Sequence, residues 1–347
     1  MSHEKTMSGV ALTAHGGPEC LEWRDDLPKP AAGPTDVIVR VHAAAVNNTD
    51  INTRVGWYAK GDSADDASWS GAPLIFPRIQ GADVCGTIAE VGRDVDPARV
   101  GERILIEPCL REFDGHPCDP AWYFGSECDG GFAQFTRVPA RYACKIDSTL
   151  TDIELASFPC SYSTAENILT RAKVGPEDTV LVTGASGGVG SAAVQLAKAR
   201  GARVVAVTSD SKADSVRALG ADQTLGRTDD YLTALGRDSV DVVVDLVAGP
   251  KWPSLLDILK PRGRYAVSGA IAGPMVELDV RTLYLKDLSF FGCTVIEPEV
   301  FTHLIRRIEQ GEIKPLVAAT YPLTEIAAAQ AEFETKSHVG KIVLTVE

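Results

Sequence analysis

The chain runs to 347 residues, with 34 Lys+Arg against 47 Asp+Glu and a formal net charge of −13. That length suits two domains at about 150 residues each, and the acidity argues against nucleic acid or an anionic membrane as the main partner. No stretch approaches the ~18 apolar residues of a membrane span, the opening MSHEKTMSGV has no apolar run behind its charges, and the 8 cysteines are scattered, so a cytoplasmic protein with free thiols is expected.

From Val10 to about Phe135 the pattern is one of short strands between glycine and proline punctuation. Val37, Val39 and Val41 alternate with Ile38, Arg40 and His42, and Val84, Gly86, Ile88 and Glu90 lie in an extended run that ends at Gly92. This half reads as all-β. The segment Lys60 to Gly71, KGDSADDASWSG, has the composition of a long loop, either a lid or a plain linker.

From about Asp152 strands alternate with helices. A β-branched run opens TVLVTGASGGVG (Thr179 to Gly190), and a helix follows over Ser191 to Arg200, closed by Gly201. Strands are expected at Val204–Thr208, Val240–Asp245, Tyr265–Ser268 and Leu288–Val295, with helices over Lys212–Leu219 and Trp252–Leu259, the second ended by Pro261 and Gly263. Helices over Val300–Gln310 and Ile326–Phe333 and a strand over Lys341–Val346 finish the chain. Strands separated by helices of this length predict an α/β protein with a parallel, doubly wound sheet behind the β-rich half.

The glycine turn carries the chemistry. Glycines let a backbone approach a pyrophosphate closely, and the unpaired N–H groups at a helix N-terminus favour the anion. Against the dinucleotide pattern G-x-G-x-x-G the residues read Ala185-Ser186-Gly187-Gly188-Val189-Gly190, with alanine in the first glycine position and Gly184 one step earlier. Strand before and helix after are the context that the mechanism requires, so these six residues are the expected cofactor contacts. An NAD site places an acidic residue at the end of the second strand. Here that position is Thr208, followed by Ser209, Ser211 and Lys212, hydroxyls and a cation suited to the 2′-phosphate of NADPH. Asp210 either caps a helix toward solvent or turns to the ribose and favours NAD.

Six ordered stretches resemble the medium-chain dehydrogenase/reductase superfamily, and within it the zeta-crystallin-like quinone oxidoreductase branch: AAAVNNTDINTR (43–54), GADVCGTIAEVG (81–92), VGERI (100–104), DGGFAQF (129–135), GASGGVG (184–190) and HVGKIVL (338–344). The resemblance implies a GroES-like catalytic domain over residues 1–152 and 302–347, a Rossmann domain over 153–301, and a cleft between them. Catalytic zinc needs three protein donors. The positions that match the zinc enzymes' ligands are Asn47, Ala82 and Cys160, with Asp83 as a weak substitute, so no catalytic metal is expected. Cys109, His116, Cys118 and Cys128 fall where zinc relatives carry a structural site; lacking short C-x2-C pairs, they read either as ordinary loop residues or, less in keeping with their spacing, as a structural zinc site.

By the same resemblance Thr49 holds the position of a proton-relay hydroxyl, flanked by the amide donors Asn48 and Asn52, and Tyr58 lines the same pocket or packs on Trp57. Quinone reductases carry tyrosine where this chain has Asn52. Thr164 matches a hydroxyl against the nicotinamide, Ser268 and Gly269 are further cofactor positions, the similar branch uses a lysine like Lys212 for NADPH, and Lys341 either meets the pyrophosphate or is a surface charge. The family pairs the strand at Leu288–Val295 across a two-fold axis, which implies a homodimer. The expected activity is zinc-independent, NADPH-dependent reduction of a quinone, enone or enal. The alternatives are reduction of an enoyl thioester, or a non-catalytic NADPH-binding role of the lens-crystallin or RNA-binding kind.

Overall fold

The computed structural model describes residues 5–59, 68–70 and 72–347, so most of the expected loop over Lys60–Gly71 lies outside the described residues. Two compact units divide the chain, one formed by Met1–Cys160 with Pro315–Glu347, the other by Ser161–Lys314. No helix among the described residues is long and apolar enough to cross a membrane.

The first unit is built on the strand Asp36–Ala45. It pairs antiparallel with Asp83–Val91, Phe135–Pro139 and Lys341–Thr345, so it is covered along both edges. Its run of valine, isoleucine and alanine is buried nearly throughout, which is the pattern of a strand with apolar layers on both faces. One layer holds Val46, Ile51, Phe132, Phe333 and Leu344, the other Val39, Ile88, Leu110, Phe124 and Val138. The C-terminal strand also pairs parallel with Val317–Pro322, and the helix Ile326–Thr335 makes the crossover. Within a half that reads as β, a helix stands at Asn48–Arg54.

In the second unit six parallel strands run in the spatial order Gln223–Gly226, Arg203–Thr208, Thr179–Val182, Val240–Asp245, Leu259–Val267, Ser289–Gly292. The order reverses between Thr179–Val182 and Val240–Asp245, the switch point where open α/β sheets bind ligands at the carboxyl ends of their strands. One boundary differs from expectation. The helix that starts at Trp252 stops at Ile258, and Pro261 and Gly263 lie within the strand Leu259–Val267. The register jumps from Val240↔Leu259 to Val242↔Arg264, and Arg262 at φ 65 takes the left-handed turn of a bulge that admits the proline.

Ser289–Gly292 is an edge strand, with Phe290 38 % exposed. Met275 at 88 %, Leu285 at 71 % and Tyr284 at 60 % exposure come from the segment just before it. An open apolar edge is a template for pairing. The expected solution state is a homodimer through this edge, checked by light scattering at micromolar concentration; a monomer mass would overturn it.

Candidate active site

The glycine turn begins where Thr179–Val182 ends. Gly184 sits at φ +60, a left-handed conformation that glycine adopts without penalty. Ala185 does not share it, and its side chain is fully buried while its N–H donates to Val207 O at 3.0 Å. Alanine is therefore tolerated at the first position of the pattern because the left-handed step falls one residue earlier. Gly190 is required by close approach, since a Cβ there would lie 2.2 Å from Gly184 O. The helix Gly188–Ala199 opens with Gly187 as its N-cap and no side-chain cap. Its first N–H groups, those of Gly188, Val189 and Gly190, have no intrahelical acceptor and are geometrically ready for a phosphate.

A residue that sequence reasoning passed over holds this turn. Asp245, fully buried, accepts from Thr183 Oγ1 and Tyr265 OH, both at 2.6 Å, and from Val247 N at 3.0 Å and Ala248 N at 3.1 Å. Burial, with the adjacent carboxylate, drives the Tyr265 hydroxyl up and keeps it a donor. The clamped loop forces Ala248 to φ 54 and carries Val247 against Gly184. Ser268 and Gly269 follow the neighbouring strand: Ser268 N donates to Asp245 O at 3.1 Å, and a Cβ on Gly269 would meet Leu246 O at 2.8 Å. Thr164 stands partly exposed on the helix Pro159–Arg171.

At the end of Arg203–Thr208 the Thr208 hydroxyl is buried without a partner, while Ser209 Oγ and Ser211 Oγ lie 3.2 Å apart at the surface. Asp210 opens a short 3-10 turn, Asp210–Lys212, and is exposed. The parallel register sets Thr208 beside Gly226, so Arg227 leaves the sheet next to Ser209. Burial, with Arg227 close by, pushes the Lys212 ammonium down. Two cations thus share one corner. The second was not legible in the sequence, because only the strand register brings it there.

In the first unit Asn47, one of the positions that match the zinc ligands, meets a buried ammonium group. Lys341 Nζ donates to Asp83 Oδ2 at 2.8 Å, to Val46 O at 2.9 Å and to Asn47 Oδ1. Asn47 Nδ2 donates to Asp83 Oδ2 at 2.9 Å, and Asp83 Oδ1 accepts from Cys160 N at 2.6 Å. The side chains of Lys341 and Asp83 are 2 % and 0 % exposed. Lys341 is therefore a correction to the expectation on two counts: it is no surface charge, and with all three N–H donors taken it has none for a pyrophosphate. Tyr123 OH donates to Cys160 Sγ at 2.9 Å, and burial, with Asp83 beside it, pushes that thiol up to about 12, an unreactive state.

Thr49 and Tyr58, far enough apart in sequence to leave their contact open, meet: Tyr58 OH donates to Thr49 Oγ1 at 3.1 Å. The Asn52 side chain bonds the same phenol, and burial raises its pKa, so it is a protonated donor at neutral pH. Asn48 is exposed, and its Oδ1 accepts from Lys336 Nζ at 2.9 Å. Trp69 stacks on Tyr123 with centroids 5.0 Å apart, and Ser70 N and Tyr123 N both donate to Glu127 at 2.7 Å, so residues 68–70 are fastened down. Cys109 and His116 lie at opposite ends of the hairpin Cys109–Phe113/His116–Tyr123. Among the described residues no three Cys, His, Asp or Glu side chains gather as metal ligands.

Asp50 Oδ2 accepts from Asn47 N at 2.7 Å, yet burial pushes its carboxyl up to about 7 against the pull of that N–H and of Lys341. Between the unfolded value of 3.8 and about 7 the native state holds a proton that the unfolded chain has released, so this group's contribution to stability falls as pH rises. The slope is at most about 1.4 kcal/mol per pH unit. Asp50→Asn keeps the acceptor and removes the titration, so its Tm relative to wild type should rise from pH 5 to pH 8. A relative Tm that falls instead would show the carboxylate to be charged throughout.

Residues 33–148 match the family described as alcohol dehydrogenase GroES-like domain, and residues 188–310 the family described as zinc-binding dehydrogenase. A solved structure from Sinorhizobium meliloti 1021, named provisionally as an alcohol dehydrogenase, is 44 % identical with a TM-score of 0.93, covering 100 % of this chain and 98 % of that one. The acryloyl-coenzyme A reductase of Metallosphaera sedula is 31 % identical over 98 % of this chain and 100 % of its own length. The quinone oxidoreductase of Rattus norvegicus is 28 % identical over 98 % of both. Other relatives are named NAD-dependent alcohol dehydrogenases. The residues here do not fit a catalytic zinc, because Asn47 and Ala82 stand in two ligand positions and the Lys341 ammonium is bonded to Asn47 and to Asp83. Glycine turn, parallel sheet and sequence likeness together make this chain a member of the medium-chain dehydrogenase/reductase superfamily, an oxidoreductase that uses a nicotinamide cofactor.

Proposed function

We propose that the protein is an NADPH-dependent, metal-independent reductase of conjugated carbonyl compounds, a quinone, enone or enal. The observation that carries this reading is the hydrogen bond from Tyr58 to Thr49 beside a cation-filled cluster. Without a Lewis acid, simple ketones stay unreactive, and the acceptors left are those already polarised by conjugation. A bound nicotinamide supplies the hydride. Because Tyr58 donates to Thr49 Oγ1, the Thr49 hydrogen is left to bond the substrate oxygen as negative charge develops there. Thr49 then gives up its proton, Tyr58, protonated and held by Asn52, replaces it, and Tyr58 recovers a proton from solvent to close the relay. Lys212 and Arg227 supply the charge for a 2′-phosphate, with Ser209 and Ser211 as hydroxyl partners.

A second reading is favoured by one observation, the likeness to an enzyme named for acryloyl-coenzyme A. It keeps the same hydroxyl pair and places the double bond in a thioester.

NADPH consumption measured in parallel against quinones, enones and enoyl thioesters decides between the two. Activity should persist after exhaustive chelation. Thr49→Val should lower kcat by about 10²-fold or more with little change in KM, and a fully active variant would sink the proton relay. A charged hydrogen bond to phosphate is worth about 1.5 to 3 kcal/mol, so Lys212→Ala and Arg227→Ala should each weaken NADPH by about tenfold or more and leave NADH nearly unchanged. Equal losses for both cofactors would show that neither residue reads the 2′-phosphate.

A further inference from the structure

Among the described residues the strand Phe135–Pro139 pairs with one other strand, Asp36–Ala45. Val41 N donates to Gln134 O and Ala140 N to Thr35 O, both at 2.9 Å, so the antiparallel ladder turns the N–H and C=O groups of Phe135 and Arg137 away from that partner. Both residues lie in the wall of a cavity of about 480 Å³ within the first unit, whose lining also includes Phe113 and Trp122 of the hairpin. Three cations, Lys29, Arg78 and Arg137, line it too and pair with Glu90, Asp129 and Asp114 at 2.7 to 2.8 Å. The three pairs are oriented alike. The cationic side chains are 11 to 26 % exposed and these carboxylate partners 43 to 57 %, so the positive ends are sunk in the wall while the negative ends stand in water that screens them. Two better-buried carboxylates are already engaged: Glu127 accepts from Ser70 N and Tyr123 N at 2.7 Å, and Asp36 accepts from Gly33 N at 3.2 Å and pairs with Arg137 at 3.3 Å.

We propose that this cavity is a second binding site of the protein, one that takes a small aryl carboxylate. Its volume falls within the about 300 to 1,000 Å³ of small-molecule sites. Lys29 Nζ rests 4.3 Å from the Phe135 ring centroid and the Arg137 guanidinium 4.9 Å from that of Phe113, so both charges are held in place before a ligand arrives. Arg78 spends Nη1 on Asp129 and leaves Nε buried without a partner among the described residues, an unused donor of the kind that folded proteins seldom retain. A carboxylate matches the planar fork of a guanidinium. The aromatic body is met by Trp122, Met7 and Ile79, which a bare inorganic anion would leave in contact with water. Neither Thr49, Tyr58 nor the glycine turn belongs to this lining, so the proposal stands apart from the reductase reading and either can fail without the other.

The test is titration of 2-naphthoate into the intact chain by isothermal calorimetry, with NADPH present in excess so that the nucleotide does not compete for the probe. About one molecule per chain should bind, with a Kd of about 1 mM or below, and added salt should weaken it. The neutral 2-naphthamide lacks the charge and inorganic phosphate lacks the apolar body, so each should bind about tenfold more weakly or not at all. Lys29→Met and Arg78→Met should each raise the Kd for 2-naphthoate by about tenfold. Lys29→Met leaves only the half-exposed Glu90 without its partner, so it keeps the proposal testable where Arg78→Met folds poorly. Absence of binding by wild type, or wild-type affinity in a folded Lys29→Met protein, would overturn the proposal. Equal affinity for 2-naphthamide or for phosphate would overturn the assigned ligand class, and so would tighter binding of 2-naphthylmethylammonium, which would show that the exposed carboxylates govern the cavity.

Discussion

A buried ion pair sets the geometry of the first unit. Taking a carboxylate and an ammonium out of water costs several kcal/mol per ion, and the pair is tolerated only where every remaining lone pair and proton is satisfied. Asp83 and Lys341 meet that condition: Asp83 receives Lys341 Nζ, Asn47 Nδ2 and Cys160 N, and Lys341 finds three acceptors. The pair therefore fastens together the C-terminal strand, the strand from Asp83 and the cap of the helix Asn48–Arg54. That helix carries Thr49 and Asn52 and leads into Tyr58, so the position of the hydroxyl pair follows from a charge pair that touches neither hydroxyl. A buried Lys–Asp pair is poor in net stability and rich in geometric definition, which is what a site needs.

The second unit solves a similar problem with an anion alone. No ion pair to Asp245 occurs among the described residues; two hydroxyls and two backbone N–H groups hydrogen-bond it. Its product is a loop held against Gly184, at the expense of a left-handed alanine at position 248. Strain of that size, about 1 to 3 kcal/mol, persists only where the surroundings over-determine the backbone. The turn is thereby rigid before any phosphate arrives, and preorganised amides bind an anion without reorganisation. In both units the organising residue is a buried carboxylate, and the groups that face a ligand are placed by it at one remove.

Much of this was legible in the residues themselves. Strand periodicity, the glycine turn, the alternation of strand and helix and the six family stretches led to the right architecture, because each is a local pattern with a local cause. Local reading failed where tertiary pairing overrode it. Pro261 and Gly263 read as helix breakers, and they do break the helix, but the sheet recruits them into a bulged strand. Lys341 read as a surface charge or an anion contact because lysine is rarely buried, and nothing nearby announced its partners: Asn47 is 294 positions away.

The sequence by itself determined the strands at Thr179, Val204 and Val240, the helix behind the glycine turn, where the backbone could turn at glycine, and that two of the three positions matching zinc ligands carry no metal donor. Those properties depend on steric and hydrogen-bonding preferences that act over a few residues. The tertiary structure alone decided that Lys341 is buried against Asp83, Asn47 and Val46, that Arg227 joins Lys212, and that Tyr58 donates to Thr49. The register of paired strands and the packing of the chain select such partners, and a buried charge takes whichever complementary group that packing brings within about 3 Å.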